Sequence, residues 1–214
     1  MYIFQPDRFL LDKQIRKFSH YIKGKVLDVG AGEVNRYGKY FKYDEYIKMD
    51  PRHVSHADLV GSADNIPLDS ESVDSIVCTQ VFEHLENPQK SAEEIYRVLK
   101  KGGYVLLTVP QMNELHEEPY DFFRYTKFGL KSMFERVGFE LVVVDQRGGY
   151  YSTMAQMRIR HMIDKHGLYK NIFMGKMFAP ICKIIGRLAI FRDSIDHSIS
   201  NTKHTIGWCV VLKK

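Results

Sequence analysis

The chain has 214 residues, 44% of them apolar, which suits one globular domain with an ordinary core. Basic residues outnumber acidic ones by 31 to 26, but unevenly: from Arg147 onward there are 12 Lys or Arg and 3 Asp or Glu, a balance of +9, which leaves −4 on the rest. No run of about 18 uncharged apolar residues exists for a membrane-spanning helix, and Pro6, Asp7 and Arg8 interrupt the stretch where a secretory leader would need to be apolar.

Residues 6–21 read as a helix, with Phe9, Leu10, Ile15, Phe18 and Ile22 in an imperfect apolar stripe. Lys25-Val26-Leu27-Asp28-Val29-Gly30-Ala31-Gly32-Glu33 then sets a buried strand under a Gly-x-Gly turn. Glycine lacks Cβ and tolerates positive φ, so such a turn lets the backbone approach a ligand closely. A strand followed by this turn is the usual nucleotide-cofactor cradle of an open α/β sheet, and a plain turn is the bland alternative. The dinucleotide pattern Gly-x-Gly-x-x-Gly is incomplete, because position 35 is Asn35.

Residues 33–42, with Tyr37, Tyr40 and Phe41, are expected to form a short polar crossover helix. Residues 46–50 read as a second strand whose terminal Asp50, followed by Pro51, can accept hydrogen bonds from both hydroxyls of a ribose. A third strand and an acidic turn occupy 58–67, and Val73–Thr79 is a fourth strand. Residues 88–100 read as a helix that starts at Asn87-Pro88 and buries Ala92, Ile95, Tyr96 and Leu99. Lys100-Lys101-Gly102-Gly103 leads into a fifth strand at 104–110. Thr126 is the expected N-cap and Gly138 the stop of a further helix, and strands six and seven are expected at 139–144 and 205–212. Cys78, Cys182 and Cys209 are far apart with no ligand spacing and read as reduced core thiols of a cytosolic protein.

In this order the motifs resemble the class I S-adenosylmethionine-dependent methyltransferases, of the type 11 kind. The matching residues are Asp28/Gly30/Gly32, Asp50, the Ala63-Asp64-Asn65-Ile66-Pro67 turn, Glu83-His84-Leu85 and the Arg97 to Gly103 turn. The match covers roughly residues 24–146. Val34 stands where many members have a third glycine, so the loop from Glu33 to Asn35 is expected to take its own path. The resemblance implies an α/β, Rossmann-like, seven-stranded, mostly parallel sheet with helices on both faces, forming one domain over 1–214, cytoplasmic, with S-adenosyl-L-methionine as cofactor. It further implies that the backbone of Gly30, Ala31 and Gly32 approaches the methionine and ribose and that Asp28 orders the turn. Asp50 and Pro51 meet the ribose, Asp64 and Asn65 the adenine, and Gln80 the methionine end. Turn capping is the other reading of Asp28 and Asp64.

Residues 111–126 form a long loop dense in His, Glu, Asp, Arg and Tyr, as functional lids often are. The loop is similar to the His…Tyr-Asp-x-x-Arg-Tyr-Thr element of bacterial methyltransferases of sugar and cell-surface polysaccharide pathways. That similarity implies His116 as general base and Asp121 and Arg124 as orienting or substrate-binding groups; an ion pair capping the next helix is the alternative for the last two. His84 is a second catalytic candidate, or else a helix-start residue bonded to backbone. Glu83, His84, His116 and Asp121 match in part the metal cluster of small-RNA 2′-O-methyltransferases, but Gln80 replaces its first Glu, so no metal is expected. Thr79-Gln80-Val81-Phe82 lacks the Asn-Pro-Pro-Tyr of amino methyltransferases, which favours an oxygen acceptor.

In the resembled family strands six and seven form a hairpin. Here a basic, helical insertion of about 148–204 separates them. Pro180 is expected to start a helix that runs to Phe191, and Gly148-Gly149 and residues 198–201 are expected to be its flexible joints. Lys176, Lys183 and Arg187 would share one helix face. The insertion reads as a cap on the sheet, a homodimer surface, or a peripheral membrane contact through 168–192; nucleic acid is disfavoured because the aromatics do not interleave with the basic residues. The leading expectation is O-methylation of a small hydroxylated acceptor such as a sugar or a cell-surface glycan or lipid-linked intermediate. The alternative is a non-catalytic cofactor-binding or assembly subunit; an NAD-type oxidoreductase is disfavoured by Asn35 and the Ala63 to Pro67 turn.

Overall fold

The computed structural model describes residues 3–34, 36–52 and 57–214. Seven strands, β1 (Lys23–Val29), β2 (Lys42–Asp50), β3 (Leu59–Val60), β4 (Val73–Thr79), β5 (Leu99–Pro110), β6 (Glu140–Arg147) and β7 (Gly207–Lys213), form one sheet in the order β3-β2-β1-β4-β5-β7-β6. The pairs β1/β2, β2/β3, β1/β4 and β4/β5 are parallel. The order reverses between β1 and β4, and at such a switch the carboxyl ends of neighbouring strands open a crevice. Strand contents explain the parallel pairing: Leu27 and Val29, Ile76 and Cys78, and Val105 and Leu107 are buried on one face, while Val26, Val77 and Leu106 are buried on the other. A sheet buried on both faces reads as continuous apolar runs, as these strands do.

Helix α1 (Pro6–Phe18) precedes β1, and the chain divides into two compact units. One holds the sheet and comprises Gln14–Pro110, His116–Asp145 and Trp208–Lys214. Its core joins the strands to Ala92 and Ile95 of α2 (Pro88–Val98) and to Leu130 and Phe134 of α3 (Lys127–Val137). Both helices are closed by the expected signals. The Asn87 side chain accepts from Lys90 N, the Thr126 side chain from Gly129 N, and Gly138 ends α3 at φ 111°. The crossover helix expected over 33–42 is not formed: among the described residues the regular element there is a 3-10 turn at Gly38–Tyr40. Val34, Tyr37, Gly38, Tyr40 and Phe41 are poor helix formers, which disfavours a helix in this connection. Asn35, and with it part of the loop expected to take its own path, lies outside the described residues.

The other unit comprises Met1–Lys13, Gln111–Leu115 and Gln146–Gly207. It contains α4 (Tyr150–Lys165), α5 (Ile172–Ile195) and α6 (Ile199–Thr202), and its core joins α4 and α5 through Ile3, Ile159, Ile163, Leu168 and Cys182. Pro180 does not start the insertion's long helix. It lies inside α5, whose N-cap is Asn171. Proline removes one internal hydrogen bond, but a helix held by packing along its length survives that loss. The expected joints are tied down as well. The Asp193 carboxylate accepts from the backbone N–H groups of Gly149, Tyr151 and Ser152 at 2.8, 3.1 and 3.0 Å, and Asn201 Oδ1 accepts from Tyr150 N at 2.7 Å. A carboxylate is well suited to the unpaired N–H groups that begin a helix. Below them, the guanidinium of Arg147, with its side chain fully buried, donates to Asp7 at 2.8 Å.

Removing one member of a buried ion pair strands the other charge. Asp7→Asn is expected to lower unfolding stability by about 3–5 kcal/mol, read by urea denaturation; a loss below about 1 kcal/mol would show that Arg147 is held chiefly by other groups.

Candidate active site

The turn after β1 is bound to the end of β2. Gly30 N and Ala31 N both donate to the carbonyl oxygen of Met49, at 2.9 and 3.1 Å, and Gly32 N donates to Asp50 Oδ2 at 3.0 Å. Gly30 and Gly32 hold φ of 71° and 64°, the left-handed region that favours glycine. A Cβ on Gly30 would collide with Val81 Cγ2, whereas one on Gly32 would meet nothing within 4 Å. Gly30 therefore serves close packing as well as conformation, and Gly32 leaves open space above the turn.

Asp50 closes β2 and is 2% exposed. Burial pushes its carboxyl pKa up, but hydrogen bonds from the Arg52 side chain and from the N–H groups of Arg52 and Gly32 outweigh this and hold it below the usual carboxylate value. Arg52 Nε and N both reach Oδ1 at 3.0 Å. Across the switch point, Gln80 follows β4 with φ of 56°, donates its own N–H to Thr108 O, and donates its side-chain amide to Thr108 Oγ1 at 3.2 Å. A non-glycine residue at positive φ is uncommon, and such strain clusters at functional sites. Between these groups lies a cavity of about 530 Å³, lined by Gly30, Asp50, Pro51, Arg52, Gln80, Val81, His84, Leu85, Glu117 and Tyr120.

His84 projects into that cavity from a 3-10 turn at Phe82–His84. Its Nδ1 lies 2.6 Å from Tyr120 O. A carbonyl only accepts, so Nδ1 is the donor of this bond. Nε2 is 3.9 Å from Oε1 of the fully buried Glu83. His116 stacks edge-on to His84, with ring centroids 5.0 Å apart. It belongs to a second constellation. Arg124 donates to both carboxylate oxygens of Asp121, at 2.6 and 2.7 Å, and His116 N donates to Asp121 Oδ2 at 3.0 Å. Chiefly through Arg124, the Asp121 carboxyl is held down at about 2. Thr126, not this ion pair, caps α3. Glu83, His84 and His116 each offer a ligand atom within 4.8 Å of the others, close enough to hold a divalent ion; Asp121 is not part of that group.

Gly30, Asp50, Pro51, Gln80 and His84 are thus gathered round one cavity. Ala31 and Gly32 follow in the turn, and Asp28 lies beneath it in β1, where Tyr46 Oη donates to it at 2.8 Å. Asp64 and Asn65 do not line the cavity. They form a turn in which Ser62 Oγ donates to Asp64 Oδ1 and Asn65 N donates to Ser62 O. His116, Asp121 and Arg124 stand behind His84 and not in the cavity wall. Sequence reasoning missed Arg52, Glu117 and Tyr120. Arg52 carried a signal, two residues past the strand-ending acid; Glu117 and Tyr120 were hidden among the many polar residues of the 111–126 loop.

Residues 27–107 match the family model for the methyltransferase domain. Over this stretch the sheet-bearing unit is similar to S-adenosylmethionine-dependent methyltransferases. A Mycolicibacterium smegmatis protein, named a probable S-adenosylmethionine-dependent methyltransferase, is 28% identical over 172 residues, covering 68% of this chain and 63% of its own. An uncharacterised protein of Methanocaldococcus jannaschii is 26% identical over 113 residues, 50% of this chain and 55% of its own. The chain therefore spans less than two thirds of the length of these curated relatives. Among solved structures, the [4+2]-cyclase SpnF shares the fold at a TM-score of 0.60 and 17% identity, over 97% of this chain and 80% of that one.

Methyltransferase domains of this family use S-adenosyl-L-methionine as methyl donor. The residues present fit it. The left-handed glycine turn leaves room above Gly32, a buried carboxylate ends β2, and the cavity volume is that of a small-molecule site.

Two measurements check this geometry. Gly30→Ala should weaken binding of S-adenosylhomocysteine by about tenfold or more, since a left-handed Cβ alone costs roughly 1–2 kcal/mol; unchanged affinity would show that the turn tolerates a side chain. Asp28 is raised by burial to about 7 from the ordinary 3.8, with Tyr46 and Lys48 partly opposing the shift. A carboxyl raised by folding contributes its full stability below 3.8 and loses it as pH rises through about 7. The melting temperature of Asp28→Asn relative to wild type should therefore rise between pH 4 and pH 8; a pH-independent difference would contradict the shift.

Proposed function

We propose that the protein transfers the methyl group of S-adenosyl-L-methionine to an oxygen of a small hydroxylated acceptor, of the sugar, cell-surface glycan or lipid-linked class. The observation that supports the oxygen acceptor is His84, a residue of the cavity lining whose Nδ1 is committed to Tyr120 O, which leaves Nε2, beside Glu83, as its other basic nitrogen. The cofactor supplies an electrophilic methyl group. The backbone of Gly30, Ala31 and Gly32, with Gln80, would hold its methionine end. Asp50 and Pro51 would meet the ribose, with Arg52 yielding its place on the Asp50 carboxylate, and Asp64 and Asn65 would meet the adenine. An acceptor hydroxyl reaching His84 Nε2 would give up its proton there, and Glu83 beside it would stabilise the imidazolium. His116 is the second candidate base; Asp121 and Arg124 orient it through the backbone and the ion pair. Both units together would serve as one methyltransferase domain over 1–214, and three buried cysteines outside any disulfide support a cytoplasmic setting.

One observation favours the second reading, a non-catalytic cofactor-binding or assembly subunit: Asp50 is already engaged by Arg52. Calorimetric titration with S-adenosylhomocysteine separates the two when joined to a turnover assay. Wild type should bind, Asp50→Ala should not, and His84→Asn should keep binding while losing about 10²–10⁴-fold in turnover. Binding without turnover on any hydroxylated acceptor would support the non-catalytic reading. Normal turnover in His84→Asn, with loss in His116→Asn, would move the base to His116.

A further inference from the structure

The longest helix among the described residues, α5, turns an apolar face outward. The residues it buries fully are small, Gly175, Cys182, Gly186 and Ala189, and Met174, Phe178 and Ile185 pack beside them against the core. On the opposite face Phe173, Met177, Ile181, Ile184, Leu188, Phe191 and Ile195 have exposures between 45% and 76%. They recur every three or four residues, so at 100° per residue they fall within an arc of about 80° and run for roughly 33 Å. An exposed apolar strip of this length marks an interaction surface. It is too poor in apolar residues to cross a bilayer: no helix among the described residues is long and apolar enough for that.

Charge decides what covers it. Lys176, Lys183 and Arg187 follow one edge of the stripe, and Arg192 follows the other. The Arg187 guanidinium lies 4.3 Å from the Phe9 ring centroid and 5.2 Å from that of Phe4, which fixes this cation along the helix flank. Asp193 is the single acid in α5, and the N–H groups that begin α4 occupy it. A second copy laid along the stripe, parallel or antiparallel, would set cation against cation with no acid to answer them. A bilayer surface with anionic lipids supplies both the apolar bed and the counter-charge.

We infer that α5 lies in the interface of an anionic membrane, its apolar stripe among the acyl chains and Lys176, Lys183 and Arg187 at the headgroups. This binding surface is independent of methyl transfer, and so is its test. The full chain is floated with vesicles of phosphatidylcholine alone and with vesicles containing phosphatidylserine. Flotation is expected with the anionic vesicles, weaker as salt rises, and at background with the neutral ones. Ile184→Glu/Leu188→Glu should reduce flotation at least about tenfold, since two apolar side chains of the stripe are replaced by charges, and Lys176→Gln or Lys183→Gln should reduce it about fivefold each. Because these positions are exposed, the melting temperature and S-adenosylhomocysteine binding of the variants serve as folding controls. The inference is overturned if wild type does not float with anionic vesicles, or if the glutamate pair floats as well as wild type. It is also overturned if sedimentation shows a dimer that the glutamate pair dissociates while flotation stays at background.

Discussion

Three backbone N–H groups bind the first turn of the sheet to the end of the second strand, and the candidate site depends on them. Gly30 and Ala31 share the Met49 carbonyl, and Gly32 reaches Asp50. These bonds form only because two residues of the turn adopt left-handed φ, where a side chain is strained. They set the height of the turn over β1 and orient the Asp50 carboxylate, and both define one wall of the cavity. The opposite wall follows from the same logic on β4: Gln80 is held at positive φ by its backbone and amide bonds to Thr108, which lies in the neighbouring β5.

Acidic groups in this molecule are separated by environment. Asp28 is buried beside a phenol and rises to about 7, while Asp121 is clasped by a guanidinium and falls to about 2. Asp50 is buried as deeply as many core residues, yet stays low because three donors converge on it. The same local rule orients His84: a carbonyl at hydrogen-bond distance makes Nδ1 a donor, and Nε2 lies 3.9 Å from Glu83 Oε1.

The second unit owes its order to charges placed where helices begin. Asp193 serves three N–H groups near the start of α4, and Asn201 a fourth, so a stretch that reads as flexible glycine is ordered by side chains more than forty residues away. Small residues let α5 pack closely, with Met174, Phe178 and Ile185 against the core, and large apolar side chains are left on the opposite face. One face thus holds the unit together and the other is left for a surface.

Much of this was legible in the order of residues. Apolar runs ending in Asp28-Val29-Gly30-Ala31-Gly32 and in Asp50 announce parallel strands and their carboxyl-end loops, because strand burial and glycine's backbone freedom act locally. Asn87, Thr126 and Gly138 announce helix ends for the same reason. One failure was local: residues 33–42 read as a crossover helix, yet Val34, Tyr37, Gly38, Tyr40 and Phe41 are poor helix formers and the regular element among the described residues is a 3-10 turn at Gly38–Tyr40. The others lay where distance in space governs. Pro180 reads as a helix start, yet packing carries α5 through it. His116 and His84, thirty-two residues apart, could be ranked only once Tyr120 had been found on one ring and Asp121 and Arg124 beside the other. The sequence by itself determined the strands, the glycine turn and the acid that follows it, since these depend on local conformation and burial. Only tertiary structure decided which histidine faces the cavity and which side of α5 is bare, since both depend on partners brought together from distant parts of the chain.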